Sequence, residues 1–410
     1  MELTMHERKP IYRETAKEYQ RARKKEKKAI LDRFVQTTGL DRKYAATLLR
    51  YHGKTVRVRK RTELKADIGK SAKPGGRKLV YDEAVQKTLK KIWPVSGYLC
   101  GKRLNPAMGG ILDNLKRNGK LKCKTEVEDK LRRMSASTMD RILKAERKRL
   151  ELKGRRGTKP GTLLKHQIAV RTHADWKEDM PGFFEIDLVQ HEGGNARGDF
   201  AYTLDMVDVF SGWAENRAIL NKASLWVRKS IDFTERRLPF QLLGLDSDTG
   251  SEFINYPMKE YCEAKAIKFT RGRSSRSNDN CYVEQKNYSI VRAHVGYARY
   301  EGEEDVYWLN RLYGSLRLYT NFFQPVMKMT EKTREGSKVK KKYGDIQTPY
   351  QRLMGCDKLD DVRKARLKAI YDNLDLMTIV QEMEHCKKTI LWLHKQRNLG
   401  EGINFDSISQ

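Results

Sequence analysis

Cysteine, proline and long apolar runs are all scarce in this 410-residue chain, and acidic residues are far outnumbered by basic ones. The six cysteines (Cys100, Cys123, Cys262, Cys281, Cys356 and Cys386) stand far apart, form no CxxC pair and have no histidine at zinc-finger spacing. That argues against a disulfide scaffold or a structural zinc site and fits reduced thiols. No apolar stretch approaches the roughly 20 residues of a membrane span. The opening residues, MELTMHERKPIYRETAKEY, lack the apolar core of a secretory signal. The expectation is a soluble intracellular protein with no membrane partner. Asp and Glu number 53 against 84 Lys and Arg, leaving a net charge of +31. Such an excess repels itself unless a polyanion neutralises it. It recurs in several separate segments, which points to nucleic acid rather than to a merely basic surface.

A chain of this length is expected to hold several cores, and its composition changes along the way. Residues 1–53 are helix-rich. Ile30, Leu31, Phe34 and Val35 make one apolar stripe, and Leu40, Tyr44, Ala45, Leu48 and Leu49 a second. Gly39 suits the turn between them and Asp41 the start of the second helix, the layout of a helix-turn-helix that would offer Arg42, Lys43, Thr47 and Arg50 to DNA. A plain helical hairpin with a solvated basic face has the same pattern. Residues 54–78 carry ten Lys or Arg and suggest a basic linker whose Arg57, Arg59, Lys60 and Arg61 follow phosphates. A second helix-turn-helix-like module is expected over 79–150, with Ser135 or Ser137 as an N-cap and Arg141 and Lys144 facing outward. A second basic linker spans 151–175.

From 176 the character changes. PGFFEIDLVQH, FAYTLDMVDVF and GWAENRAIL are strand-like and joined by short loops, so an antiparallel meander is expected. A helix over 222–237 then leads to a fourth strand, 238–245, followed by a helix at 256–264, a short strand at 267–270 and the loop RGRSSRSNDN. After residue 301 the expectation is a helical C-terminal region interrupted by a lysine-rich loop, Lys328 to Lys342.

Three acids stand out in this central stretch. Asp187 lies inside a buried strand, where an unpaired carboxylate is costly and a cation is a natural explanation. Asp248 follows a strand end in SDTGSEF, on a loop rim. Glu284, in CYVEQKN, lies near a helix start, and thirty-five residues separate it from Asp248. Phosphodiester transfer needs its charged transition state neutralised and its oxygens held in line, which two divalent ions about 4 Å apart achieve. Magnesium takes oxygen ligands and needs few protein carboxylates. Each acid also has a plain alternative: a core ion pair, an ordinary turn Asp and a helix-start carboxylate.

With EIDLV around Asp187, SDTGSEF around Asp248, VEQKN around Glu284 and the thirty-five-residue spacing, residues 177–300 resemble the DDE transposases of bacterial insertion sequences, within the retroviral-integrase superfamily. The resemblance implies an α/β fold: a ribonuclease-H-like catalytic core over 176–300 with a five-stranded mixed sheet flanked by helices. Helix-turn-helix modules would precede it and the helical region 301–410 would follow. It further implies catalytic and metal-binding roles for Asp187, Asp248 and Glu284, two Mg²⁺ ions or Mn²⁺, double-stranded DNA as substrate, and a homodimer or higher oligomer on the element ends, in the bacterial cytoplasm at the nucleoid. Thr249 stands where the family has Asn, and Asp246 is a second acid beside Asp248. Tyr288 and Val291 occupy positions where retroviral relatives carry lysines, so Lys286 and Arg292 are the substitute DNA contacts, with Arg271, Arg273 and Arg276 in the preceding loop. His191 is expected to be structural. The rival expectations are a non-catalytic DNA-binding regulator derived from a transposase and a nuclease on the same fold.

Overall fold

The computed structural model describes residues 5–59, 62–65, 80–150, 169–170, 179–248, 250–272, 281–335 and 338–400. The chain divides into two compact units, Met1–Leu79 and Val80–Gln410. In the first, helices α1 (Met5–Arg21), α2 (Lys24–Thr38) and α3 (Arg42–Tyr51) bury Tyr12, Ala16, Tyr19, Ile30, Leu31, Phe34, Ala45 and Leu49 in one cluster. Gly39 ends α2 at φ 68°, a left-handed geometry that favours glycine, and its N–H reaches Val35 O at 2.8 Å. Asp41 caps α3, accepting from the N–H groups of Lys43 and Tyr44. The segment expected as a linker from residue 54 instead pairs β1 (Thr55–Arg59) with β2 (Thr62–Lys65) in an antiparallel hairpin. Val56, Arg57, Val58 and Arg59 alternate apolar and basic side chains, the period-two pattern of a strand within a segment whose charge suggested a linker.

The second unit is built on a mixed sheet. Its strands are β3 (Ala169–Val170), β4 (Phe183–Gln190), β5 (Tyr202–Asp208), β6 (Ala214–Ile219), β7 (Gly244–Ser247) and β8 (Lys268–Arg271). Five of them run in the order β6-β5-β4-β7-β8, with the two-residue β3 alongside β8. The pairs β4–β5 and β5–β6 are antiparallel, whereas β4–β7 and β7–β8 are parallel. This is the ribonuclease-H-like arrangement: a three-stranded meander, then two strands added in parallel on the other side of the first. Every residue of β5 is buried, which explains its near-continuous apolar run and makes its exceptions, Asp205 and Asp208, conspicuous.

Among the flanking helices, α4 (Glu83–Val95), α5 (Gly101–Arg117), α6 (Thr125–Arg133) and α7 (Ala136–Leu150) precede the sheet, and α8 (Ser224–Glu235) and α9 (Tyr256–Ala264) connect strands within it. Next, α10 (Cys281–Lys286) runs into a π-helical turn, Asn287–Arg292, and then the short α11 (Ala293–Val295). Helix α12 (Gly302–Phe323) covers the open edge of β6. Asn310 exchanges bonds with the N–H and C=O of Ala218, and Asn321 does the same with Ala214, all at 2.8–3.0 Å. An edge strand that would otherwise present unpaired backbone is thereby satisfied by two side chains eleven residues, about three turns, apart.

The lysine-rich stretch after residue 328, expected as a loop, forms the antiparallel pair β9 (Met329–Glu335) and β10 (Lys338–Tyr343). The lysines of KVKKKY leave little of the apolar alternation that marks a strand. Three helices follow: α13 (Pro349–Met354), α14 (Asp361–Asn373) and α15 (Leu376–Gly400). One continuous apolar cluster runs from Val85 of α4 through the sheet to Ile390 of α15. Asn114 of α5 fastens this core by donating to Leu374 O and accepting from Leu376 N–H. No helix among the described residues is long and apolar enough to cross a membrane.

Candidate active site

Strand β4 sets the geometry of the acids. Side chains alternate along a strand, so Glu185 and Asp187 face the same side of the sheet. The register then places Asp205 of β5 directly opposite Asp187, and Asp246 of β7 beside Glu185. Pairing with β7 ends at Ile186 and Ser247, so the chain leaves the sheet at Asp248, one step further along and level with Asp187. Glu284 comes from α10, which packs across β4 and β5.

The electrostatics reflect this crowding. Burial, then the Asp248 carboxylate, and later Glu284, push the Asp187 carboxyl up to about 7, against the opposing effect of its bonds from Asn287 and Leu188. Those bonds run from Asn287 Nδ2 to Oδ2 at 2.6 Å and from Leu188 N–H to Oδ1 at 2.8 Å. Asp248 and Glu284 are both exposed residues whose carboxyls are also raised, chiefly by burial of the carboxyl against the sheet. Asp248 is steadied by Gly250 N–H at 2.9 Å. Among the described residues, none of these three acids ion-pairs with a Lys or Arg.

Three further polar groups belong to this cluster, and the sequence did not single them out for a role. Glu185 is fully buried, and desolvation pushes its carboxyl up to about 8. Its Oε2 accepts from the N–H groups of Tyr282 and Val283 at 2.7 and 2.9 Å. Asp205 is fully buried and raised well above the carboxylate range by desolvation, although the Lys286 ammonium opposes this. Its Oδ1 accepts from Asn216 Nδ2 at 3.0 Å, while its Oδ2 is buried with no hydrogen-bond partner. Asn287 lies on the π-helical turn. The only signal in the sequence is period-two spacing: Glu185 stands two residues before Asp187.

Asp246, the alternative second acid, is fully buried and accepts from Thr270 Oγ1. It acts on Glu185 rather than on Asp187. His191 is buried and structural: Nε2 lies 2.7 Å from Thr203 Oγ1, which in turn lies 2.7 Å from Tyr313 OH, and desolvation lowers the imidazole to about 3.

The basic residues expected on DNA fall into two groups. Lys43, Thr47 and Arg50 of α3 and Arg141 and Lys144 of α7 are exposed, and Arg42 is exposed but ion-paired with Asp32. Three others are turned inward. Arg271 closes strand β8 and is buried, rather than standing in the loop. Lys286 faces Asp205, and its ammonium is lowered to about 8 by desolvation and by Arg103. Arg292 donates to Gln190 O and Gly296 O and stacks over Tyr297. These placements follow from side-chain direction, since residues two apart on a helix point to nearly opposite sides and Lys286 therefore faces away from Glu284. Lys60, Arg61, Arg273 and Arg276 lie outside the described residues, as do the side chains of Arg57 and Arg59.

Among the described residues, no three of His, Cys, Asp and Glu are already gathered closely enough to hold a metal ion. The donor set nevertheless suits a hard divalent cation. It is all oxygen, and Asp248 and Glu284 both raise the Asp187 carboxyl in a way that a cation would relieve.

No family model matches the chain. It is 36% identical over 336 residues, 82% of this chain and 91% of the other, to a protein of Sinorhizobium fredii described as uncharacterized protein y4rM. Solved structures with some likeness include the HTLV-2 integrase catalytic core domain in complex with magnesium, in a dimeric form, at 15% identity and a TM-score of 0.27, covering 36% of this chain and 91% of that one. The catalytic core domain of BIV integrase is likewise 15% identical, with a TM-score of 0.26, covering 42% and 91%.

Proposed function

The chain belongs to the family of the Sinorhizobium fredii protein y4rM, and from its own residues we propose that it is a DNA transposase of the DDE type, performing metal-dependent strand cleavage and strand transfer. The observation that supports this most is the convergence on Asp187. A strand residue, a strand-end residue and a helix residue bring three carboxylates close enough for two of them to raise the third, with no Lys or Arg ion-paired to any of them among the described residues. Uncompensated acids are costly in a fold, and a site built to receive cations accounts for their retention.

In this reading Asp187, Asp248 and Glu284 would hold two Mg²⁺ or Mn²⁺ ions. The chemistry supplied there by the bound ions is neutralisation of charge on the phosphate and activation of the attacking oxygen. The chain's own part is orientation. Asn287 and the Leu188 N–H fix the Asp187 carboxylate from two sides. Gly250 N–H fixes Asp248 just beyond the sheet. Glu284, exposed on the first turn of α10, stands where DNA can reach it. The helices of the first unit, with Arg42, Lys43, Thr47 and Arg50, would bind the inverted ends of the element, and Arg141 and Lys144 of α7 would add phosphate contacts. Two ends cut and joined together imply at least a dimer on DNA.

A second reading, a non-catalytic DNA-binding regulator, is favoured by one observation: among the described residues no three acids are gathered closely enough to hold one ion together. The deciding experiment uses DNA carrying the segments that flank the coding region, where this reading expects inverted repeats, incubated with protein and Mg²⁺ or Mn²⁺. Nicking at the repeat ends followed by joining supports the transposase. Tight, sequence-specific binding with no cutting in either metal supports the regulator.

A further inference from the structure

Two side-chain ties connect the strand of Asp187 to the helix of Glu284. Glu185 and Asp187 lie two residues apart on one face of β4, a separation of about 7 Å. Glu185 Oε2 takes the N–H groups of Tyr282 and Val283 at 2.7 and 2.9 Å, and Asp187 Oδ2 takes Nδ2 of Asn287 at 2.6 Å. From that first pair of amides to Asn287 the helix also advances about 7 Å. The strand and the helix therefore run in step, tied at both ends of an interval that has Glu284 inside it. From these ties we infer that Glu185 and Asn287 are positioning residues that clamp α10 onto β4 and so set where Glu284 stands relative to Asp187. This rests on the proposal that the three acids form the metal site.

Two features separate this clamp from ordinary helix capping. A helix start is commonly satisfied by Ser, Thr, Asp or Asn at the cap itself. Here the acceptor is a fully buried glutamate delivered from the strand of Asp187, and its other oxygen, Oε1, is buried without a hydrogen-bond partner. Burying a carboxyl among Asp246 and Glu284 is a poor choice for stability alone. The helix also changes form at the second tie. From Asn287 to Arg292 it is π-helical, a wide turn frequently found at functional sites. The wide turn begins at the residue that bonds Asp187, while Ile290 and Val291 behind it are buried and hold the turn in place.

The test measures Mn²⁺ binding to the full chain by electron paramagnetic resonance of the free ion, alongside thermal melting. Glu185→Ala and Asn287→Ala are expected to weaken Mn²⁺ binding about tenfold or more, while Glu185→Gln, whose amide oxygen still accepts both N–H groups, stays within about twofold of the wild type. Melting of Glu185→Gln and Asn287→Ala should stay close to wild type. Should Glu185→Ala fail to fold, Asn287→Ala set against Glu185→Gln carries the decision. Mn²⁺ binding of Asn287→Ala equal to wild type, or loss in Glu185→Gln as severe as in Asn287→Ala, overturns the clamp while leaving the metal site intact. Wild-type binding in Asp187→Asn and Glu284→Gln would overturn the metal site itself, and the clamp with it.

Discussion

Replacing Asp187 by asparagine is expected to stabilise the metal-free protein while abolishing its chemistry, and the surroundings of the carboxyl set the size of the gain. The Asp187 carboxyl is raised from 3.8 to about 7, mainly by burial and by Asp248. At pH 8 the group is ionised in both folded and unfolded chains, so ionisation costs the folded state as much as about 4 kcal/mol. Because the residue is only partly buried, solvent screening reduces that ceiling. Asparagine offers one carbonyl oxygen to two donors, Leu188 N–H and Asn287 Nδ2, and so forfeits one bond, about 1 kcal/mol. The net gain at pH 8 is then about 1–3 kcal/mol.

The sign changes little with pH but the size does. A carboxyl raised by folding favours the folded state below its unfolded value and loses that advantage as pH rises through about 7. At pH 5 the native aspartate is already protonated, so the advantage of asparagine shrinks to less than about 1 kcal/mol. Urea unfolding of both proteins in EDTA at pH 5, 6.5 and 8 measures this directly. Added Mg²⁺ at pH 8 should reverse the order, since a ligand at a thousand times its Kd stabilises the wild type by about 4.1 kcal/mol. An Asp187→Asn variant no more stable than wild type at pH 8, or a gap that does not narrow toward pH 5, would rule out a strained, uncompensated carboxylate at this position.

Three other outcomes are expected. Half-saturating Mg²⁺ should fall as pH rises from 6 to 8, because Asp187, raised to about 7, is protonated at the lower end and a metal site needs ionised ligands. Calorimetric titration at three pH values checks this, and a flat response contradicts it. Asn321→Ala should destabilise the second unit by about 2–5 kcal/mol, since it leaves the N–H and C=O of Ala214 buried and unpaired, and a urea transition within about 0.5 kcal/mol of wild type, the scatter of surface substitutions, would count against that role at the β6 edge. Gly101→Ala should cost about 1–3 kcal/mol, because a Cβ there would collide with the backbone oxygen of Ala136 where α5 crosses α7, and unchanged melting would show that the crossing gives way freely.

What could be seen in the sequence was what local pattern encodes. Asp187 inside an alternating strand, Asp248 beyond a strand end, and the helix at Tyr256–Ala264 behind Asn255 all follow from neighbours a few residues away. The meander of β4, β5 and β6 was visible for the same reason, as was the turn at Gly39. Glu185, Asp205 and Asn287 were not, because their importance depends on register between segments up to about a hundred residues apart. A glutamate in EID looks like any strand glutamate until the helix after residue 281 is laid on top of it. The β9–β10 hairpin was hidden differently: lysine-rich strands lack the apolar alternation that marks a half-buried strand, because this hairpin forms its own two-stranded sheet. Lys286 and Arg292 were assigned outward because a basic residue near a DNA site suggests a phosphate contact, whereas helix geometry directs Lys286 to Asp205 and ties Arg292 to backbone carbonyls.

Whether Asp187, Asp248 and Glu284 together cut and join DNA is decided by strand cleavage, in Mg²⁺ and Mn²⁺, of DNA carrying the segments that flank the coding region. The proteins compared are wild type, Asp248→Ala, Glu284→Gln and Asp246→Asn, each first shown to bind that DNA. Cleavage by the wild type, its loss in the Asp248 and Glu284 variants, and its persistence in the Asp246 variant is the predicted result. Metal-dependent cleavage that survives in Asp248→Ala or Glu284→Gln would contradict the assignment.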